Sequence, residues 1–177
     1  RLLAPIEHMG YFAFGIPRRS DEVRLDYSTT RLPPKFAFLP QSEELFRYDL
    51  RDGRLLSDSE RAEATVLFGV RPCDASSFSV LDSVMGGKYP DPYYSSRRKN
   101  TILIALSCQK PLDTCFCNIF GTGPIEGGET DLTFTMIHGG YIAKSGSPTG
   151  ERLVAENQDL FQTASTTQEN DYISLKR

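Results

Sequence analysis

The chain has 177 residues, 39% of them hydrophobic and 24% charged, which is the mix of a folded globular protein and not of a disordered one. Lys and Arg total 20 against 23 Asp and Glu, a net charge of −3, so there is no basic excess of the kind that drives general nucleic-acid binding. No apolar run approaches the roughly 18 residues of a membrane-spanning helix, and the length suits one domain able to bury about 70% of its extended surface without staples.

In chain order, residues 2–6 and 11–16 read as strands. Residues 32–40 carry too many prolines for a helix and read as an extended segment. Residues 45–50 and 54–56 flank Arg51, Asp52 and Gly53, a hairpin signal. A continuous apolar run at 64–70 predicts a strand buried on both faces. Asp74 is the expected N-cap of a following helix, whose apolar face is Phe78, Leu81 and Met85, widened by Val80 and Val84 and stopped by Gly86 and Gly87. Asp91 and Pro92 open a second helix running to Lys99, and 101–107 is a second buried strand. A glycine-rich loop holds Gly121, Gly123, Gly127 and Gly128. Residues 132–137 and 141–144 flank His138, Gly139 and Gly140 as another hairpin. A helix capped at Thr149 covers 149–156. The expected class is therefore α/β, or α+β: a mixed sheet with a central parallel βαβ unit, strands near 64–70 and 101–107, and flanking hairpins. One domain is expected over 1–161, with 162–177 a polar, frayed tail or linker.

The four cysteines, Cys73, Cys108, Cys115 and Cys117, are spaced C-x34-C-x6-C-x-C. A disulfide scaffold fits poorly in a chain this long and cysteine-poor with no secretory signal. Four unrelated buried thiols are the bland reading. A four-thiolate site for zinc or an iron–sulfur cluster is the sharp one, although the spacing is neither that of common zinc modules nor the bacterial ferredoxin run. Topology favours the sharp reading. Strands joined by a βαβ crossover share one C-terminal edge, Cys73 and Cys108 each follow such a strand, and the next loop returns Cys115 and Cys117 to the same edge, where α/β proteins place their sites. The ligands of one cubane require the four sulfurs within about 6–7 Å of one another. A third reading, an enzyme with a reactive Cys115, requires one exposed thiol beside a base.

Other residues are weighed the same way. Arg71 could offset the charge of a thiolate cage, but an exposed arginine near a strand end is the simpler expectation. Arg97, Arg98 and Lys99 read as a solvated helix end. Gly121–Gly123 lacks the strand–loop–helix spacing of a phosphate cradle. Tyr93 and Tyr94 read as packing residues, and His8 and His138 as isolated histidines.

Several segments together resemble one family: Leu-Phe-Gly-Val-Arg-Pro-Cys-Asp at 67–74, Asp-Pro-Tyr-Tyr-Ser-Ser-Arg-Arg at 91–98, Cys-Phe-Cys-Asn at 115–118 with Gly-Thr-Gly at 121–123, Thr-Asp-Leu at 130–132 and Pro-Pro-Lys-Phe-Ala-Phe-Leu-Pro at 33–40. The chain resembles the iron–sulfur beta subunit of soluble hydrogenase/sulfur-reductase (sulfhydrogenase) complexes, and is similar to the related subunit of anaerobic sulfite reductases. The resemblance runs collinearly over about residues 2–161. It implies a cytoplasmic electron-transfer role with no substrate chemistry on this chain. Flavin-containing and catalytic subunits are its implied partners, with the flavin on the former, and no nucleic acid or membrane is involved. Family members continue into a ferredoxin-like part with two [4Fe–4S] clusters. This chain starts at Arg1, ends at Arg177 and has no C-x2-C-x2-C run, so it is expected to be the N-terminal domain of a longer subunit. The resemblance makes Cys73, Cys108, Cys115 and Cys117 the candidate ligands of one [4Fe–4S] cluster, with Zn²⁺ or a metal-free docking domain as the alternatives. It leaves proton, sulfur, polysulfide or sulfite as the terminal acceptor, chosen by other subunits.

Overall fold

Apolar runs of strand length, separated by turn residues, dictate the layout of a six-stranded mixed sheet. The computed structural model describes residues 1–56 and 62–176. Its strands are β1 (Leu2–His8), β2 (Tyr11–Gly15), β3 (Arg47–Tyr48), β4 (Leu55–Leu56), β5 (Thr65–Val70), β6 (Thr101–Leu106), β7 (Leu132–Ile137) and β8 (Gly140–Ser145). The helices are α1 (Pro72–Met85), α2 (Pro92–Lys99), α3 (Pro148–Glu156) and α4 (Thr166–Leu175). The main sheet runs β2-β1-β5-β6-β7-β8, and β3 and β4 form a separate hairpin. The inner pairs β1–β5, β5–β6 and β6–β7 are parallel, and the edge pairs β1–β2 and β7–β8 are antiparallel. This is the expected α/β class with its central βαβ unit and flanking hairpins.

The core lies where the inner strands meet α1 and the segment before β3. Leu67, Val70 and Leu103 from the sheet pack with Phe38, Phe78 and Tyr94. Phe38 meets Phe78 edge-on with centroids 4.9 Å apart, a preferred aromatic geometry. Asp82 ties the two helices together by accepting from Tyr94 Oη (2.6 Å) and Arg98 Nε (3.1 Å). At the far end of the sheet α3 packs on β8 and α4 on β7.

Several local expectations change. Pro34 enters a 3₁₀ turn, Pro34–Ala37, where 32–40 reads as extended; proline suits a first helical position because no N–H is needed there. Pro72 takes that position in α1 as well, so Arg71 is the N-cap and Asp74 falls inside the first turn instead of capping. Ser147, not Thr149, caps α3 by accepting from the Gly150 N–H. Asp91 caps α2 as expected, accepting from the Tyr93 and Tyr94 N–H groups. Val80 and Val84 are solvent-exposed and do not widen the buried face of α1. Within the polar segment expected to be a frayed tail, Thr166–Leu175 forms α4, opened by a Ser165–Gln168 capping box. Arg97 and Arg98 are not a solvated helix end: Arg97 donates to Phe38 O and pairs with Glu43, and Arg98 pairs with Asp82.

Candidate cysteine site at the carboxyl edge of the sheet

Cys73 is the second residue of α1, directly after β5, and Cys108 lies two residues beyond β6. Both sit at the carboxyl edge of adjacent parallel strands, as the βαβ reading requires. The next crossover, β6 to β7, contains no α-helix. The cysteine loop itself makes it, holding only the 3₁₀ turn Cys117–Phe120. Gly121 ends that turn in the left-handed region (φ 67°), and the Thr122 hydroxyl donates to Cys117 O at 2.9 Å. Gly121 thus serves as a turn terminator, in keeping with its failure as a phosphate cradle.

Two close approaches bring the loop back to the sheet edge. Cys108 N donates to Pro124 O (2.7 Å), and the buried Ser107 hydroxyl bonds Ile125 O and Thr135 Oγ1, each at 2.6 Å. Farther on, Gly128 (φ 68°) lies so near the first turn of α1 that a Cβ there would sit 2.3 Å from the Ala75 carbonyl carbon. Only glycine permits that approach. The loop is thereby pressed against the helix start that carries Cys73.

All four cysteines are free; Cys73 and Cys115 are exposed, and Cys108 and Cys117 are half-buried. Burial pushes the Cys73 thiol above its ordinary range, with the Asp74 carboxylate and the neighbouring thiols Cys108 and Cys117 adding to the rise. Burial also raises Cys108, aided by Cys115 and Cys117, while the Arg71 charge pulls it back. Cys73 is within electrostatic reach of Cys108 and Cys117, and Cys108 of Cys115 and Cys117. They do not form a closed coordination shell: among the described residues no group of three or more His, Cys, Asp or Glu is placed to hold a metal ion. The donor chemistry, four soft thiols without disulfides, still fits zinc or an iron–sulfur centre. Cys115 Sγ accepts from Leu112 N at 3.2 Å and has no His or carboxylate partner among the described residues, so the reactive-thiol arrangement lacks its base.

Arg71 departs from the sequence expectation most. It is buried at 5% exposure instead of exposed. Its Nη1 donates to Leu106 O (3.2 Å) and Ser107 O (2.8 Å), the two carbonyls that lead into Cys108. Tyr27, buried as well, covers the guanidinium with its ring and donates to Gly69 O at 2.5 Å. Tyr27 escapes sequence reasoning because its partners lie far along the chain, while the Gly127–Gly128 pair is the available signal for a close backbone approach. His8 stacks edge-on to Tyr11, and Tyr94 is a buried core residue, as a packing role requires.

Sulfhydrogenase 2 subunit beta of Pyrococcus furiosus is 34% identical to this chain over 161 residues, which cover 91% of the chain and 47% of that protein. The chain spans about half the length of this curated relative. The identity establishes a relation to a sulfhydrogenase beta subunit. No protein-family model matches the chain, and no solved structure matches it. Among the described residues, no helix is long and apolar enough to cross a membrane.

Proposed function

Starting from this kinship with a sulfhydrogenase beta subunit, we propose that the chain is an electron-transfer module of a multi-subunit hydrogenase or sulfur-reductase complex, and that Cys73, Cys108, Cys115 and Cys117 hold one [4Fe–4S] cluster. What supports the reading is the position of Cys73 and Cys108 just past two adjacent parallel strands, with the loop that carries Cys115 and Cys117 following, in a chain related over nine-tenths of its length to a sulfhydrogenase beta subunit. A bound cluster would take up and pass on single electrons. The protein's part is to supply thiolates from two rigid strand ends and one loop, and to shield them with the buried Arg71–Tyr27 side. Closing the shell belongs to the binding step, since metal binding and local folding are commonly coupled. Flavin-containing and catalytic subunits, and a ferredoxin-like dicluster domain following this segment, are the proposed partners. The setting is cytoplasmic and anaerobic, with sulfite reductase as a related context.

A second reading has its own support. Three ligands do not share a shell among the described residues, and the loop exposes Phe116, Ile119 and Phe120. Both suit a docking domain whose cysteines bind zinc or nothing. Anaerobic purification followed by iron, sulfide and zinc analysis decides between them. The cluster reading expects about four iron and four sulfide per chain, with broad visible absorption near ~400 nm. Stoichiometric zinc, or a colourless metal-free chain, overturns it in favour of the second reading.

A further inference from the structure

We propose that the face of the main sheet turned away from α1 is an interface between two copies of this chain, packed sheet against sheet about a two-fold axis. The inference goes beyond the proposed electron-transfer role and does not depend on the cysteines.

The topology leaves that face short of cover. β1, β5, β6 and β7 stand side by side in this order, each parallel to the next. Right-handed crossovers that all advance in one direction lie on one face of a sheet. The contacts agree. Phe38 from the first crossover meets Phe78 of α1 in the second, and Gly128 from the third lies against α1 at Ala75. No crossover is left for the opposite face. Only the chain after β8 remains, and it packs at the far end of the sheet: α3 on β8, α4 on β7, and Phe161 on Phe134.

Side chains alternate between the two faces along a strand. Leu67 and Leu103 belong to the core beside α1, so Val66, Phe68, Ile102 and Ile104 lie on the other face. The register adds Leu2 next to Val66, and Met136 with Tyr141 farther along. Leu67, Val70 and Leu103 are 0–1% exposed, whereas Leu2, Met136 and Tyr141 are 40–46% exposed. Val66, Phe68, Ile102 and Ile104 are only half-buried, in the middle of the sheet. Parallel strands are ordinarily covered on both faces, and a contiguous apolar surface left in water marks an interaction site.

Charge selects the occupant. Among the described strand residues on this face there is no Asp, Glu, Lys or Arg; Glu7 and Lys144, the charged residues of the main sheet, alternate onto the other face. A two-fold axis makes a surface patch meet itself. Like charges brought together that way cost several kcal/mol, and here none are brought together. Packed sheets stand about 10 Å apart with the gap filled by apolar side chains from both, which is what this face offers to its own copy.

Sedimentation equilibrium of the full chain reads its mass, with reductant present so that no cysteine-linked pair is counted. The wild type is expected to be a dimer that dissociates on dilution through about 1–10 µM. Ile104→Lys and Val66→Lys bring like charges into the joined face and should weaken association at least tenfold. Val80→Lys, on the exposed outer side of α1, should leave it unchanged. If both lysine variants on the face fail to fold, hydroxyl-radical footprinting of the wild type decides. Phe68, Ile102 and Ile104 should then be several-fold better protected in the dimer than after dilution to monomer, with Val80 and Val84 equally reactive in both. A wild type that stays monomeric up to about 100 µM overturns the inference, and the face then serves a different polypeptide. A dimer that persists in Ile104→Lys and Val66→Lys also overturns it, as does one whose dilution uncovers Phe116, Ile119 and Phe120 in place of Phe68 and Ile104.

Discussion

The Arg71 guanidinium carbon lies 4.0 Å from the centroid of the Tyr27 ring, and the Tyr27 hydroxyl donates to the carbonyl of Gly69. Gly69 has φ 82° and marks the register shift between Phe68 and Val70, where β5 bends before the chain reaches Arg71. A bulge re-aims the residues that follow it. Burial pushes the Tyr27 phenol well above its ordinary value, with Arg71 opposing the rise, so the group remains a donor at any working pH. Tyr27→Phe keeps the ring over Arg71 and removes only the donor. The Gly69 carbonyl then loses its phenol partner, at a cost of about 1–3 kcal/mol. Urea denaturation should show the loss as a lower midpoint with an unchanged slope, and an unchanged midpoint would show that the bond contributes nothing.

Gly128 is the position at which the cysteine loop most closely touches α1. A methyl group there would meet the backbone of Ala75 and Ser76 at 2.3–2.4 Å, in a backbone region that L-residues avoid. Gly128→Ala must push the loop off the helix start, at a cost of about 1–3 kcal/mol by the usual range for overpacking. This contact holds the loop against the first turns of α1, the helix that carries Cys73, so metal uptake should fall together with stability. Gly121→Ala is the control, since its positive φ is strained but nothing lies within 4 Å of the added carbon. Iron content and melting temperature of the two variants separate loop placement from simple backbone strain.

The central βαβ unit is legible in the sequence because the runs at 64–70 and 101–107 are apolar on both faces, and few other structures fit such runs. That placement alone puts Cys73 and Cys108 on one edge. Arg71 is not legible, because its partners, Leu106 O and Ser107 O, are backbone atoms 35 and 36 residues away that no side-chain pattern announces. Asp74 loses the cap to a stronger constraint, the proline at 72. The terminal helix α4 is hidden by its polarity, although Ser165 followed three residues later by Gln168 is a capping-box signature that marks its start.

Asp131 joins the sheet to α3. Its Oδ2 accepts from the backbone N–H of Leu103 in β6 (2.7 Å), and its Oδ1 accepts from the Ser147 hydroxyl that caps the helix (2.5 Å). Leu103 is 1% exposed, so its N–H has no access to water if the carboxylate is lost. Asp131→Ala should therefore destabilise the domain by about 1–3 kcal/mol. Asp131→Asn, which keeps one acceptor, should cost clearly less. Equal losses in the two variants would mean that the carboxylate charge, not the bond to Leu103, is what matters.

Glu126 links the cysteine loop to the end of the chain. It accepts from Lys144 of β8 at 2.7 Å, from Lys176 just past α4 at 2.9 Å, and from the Tyr172 hydroxyl of α4. Burial by itself would raise its pKa, but hydrogen bonds from Lys144, Tyr172 and Lys176 outweigh burial and hold it at about 2, below the ordinary 4.5. Tyr172, pushed up to about 12 by burial and by this carboxylate, stays protonated as a donor throughout. Because the folded value lies below the unfolded one, the contribution is fully present above pH 4.5 and is lost as pH falls through about 2. Half-exposed ion pairs are worth about 1 kcal/mol or less each, so the effect should be local: α4 loosens while the central sheet holds. Hydrogen exchange of the 166–175 amides should accelerate relative to β5 and β6 as pH drops across that window. Glu126→Gln should show the faster α4 exchange already at neutral pH and lose the extra acid dependence. If α4 exchange tracks the core at every pH in both proteins, Glu126 does not hold the helix.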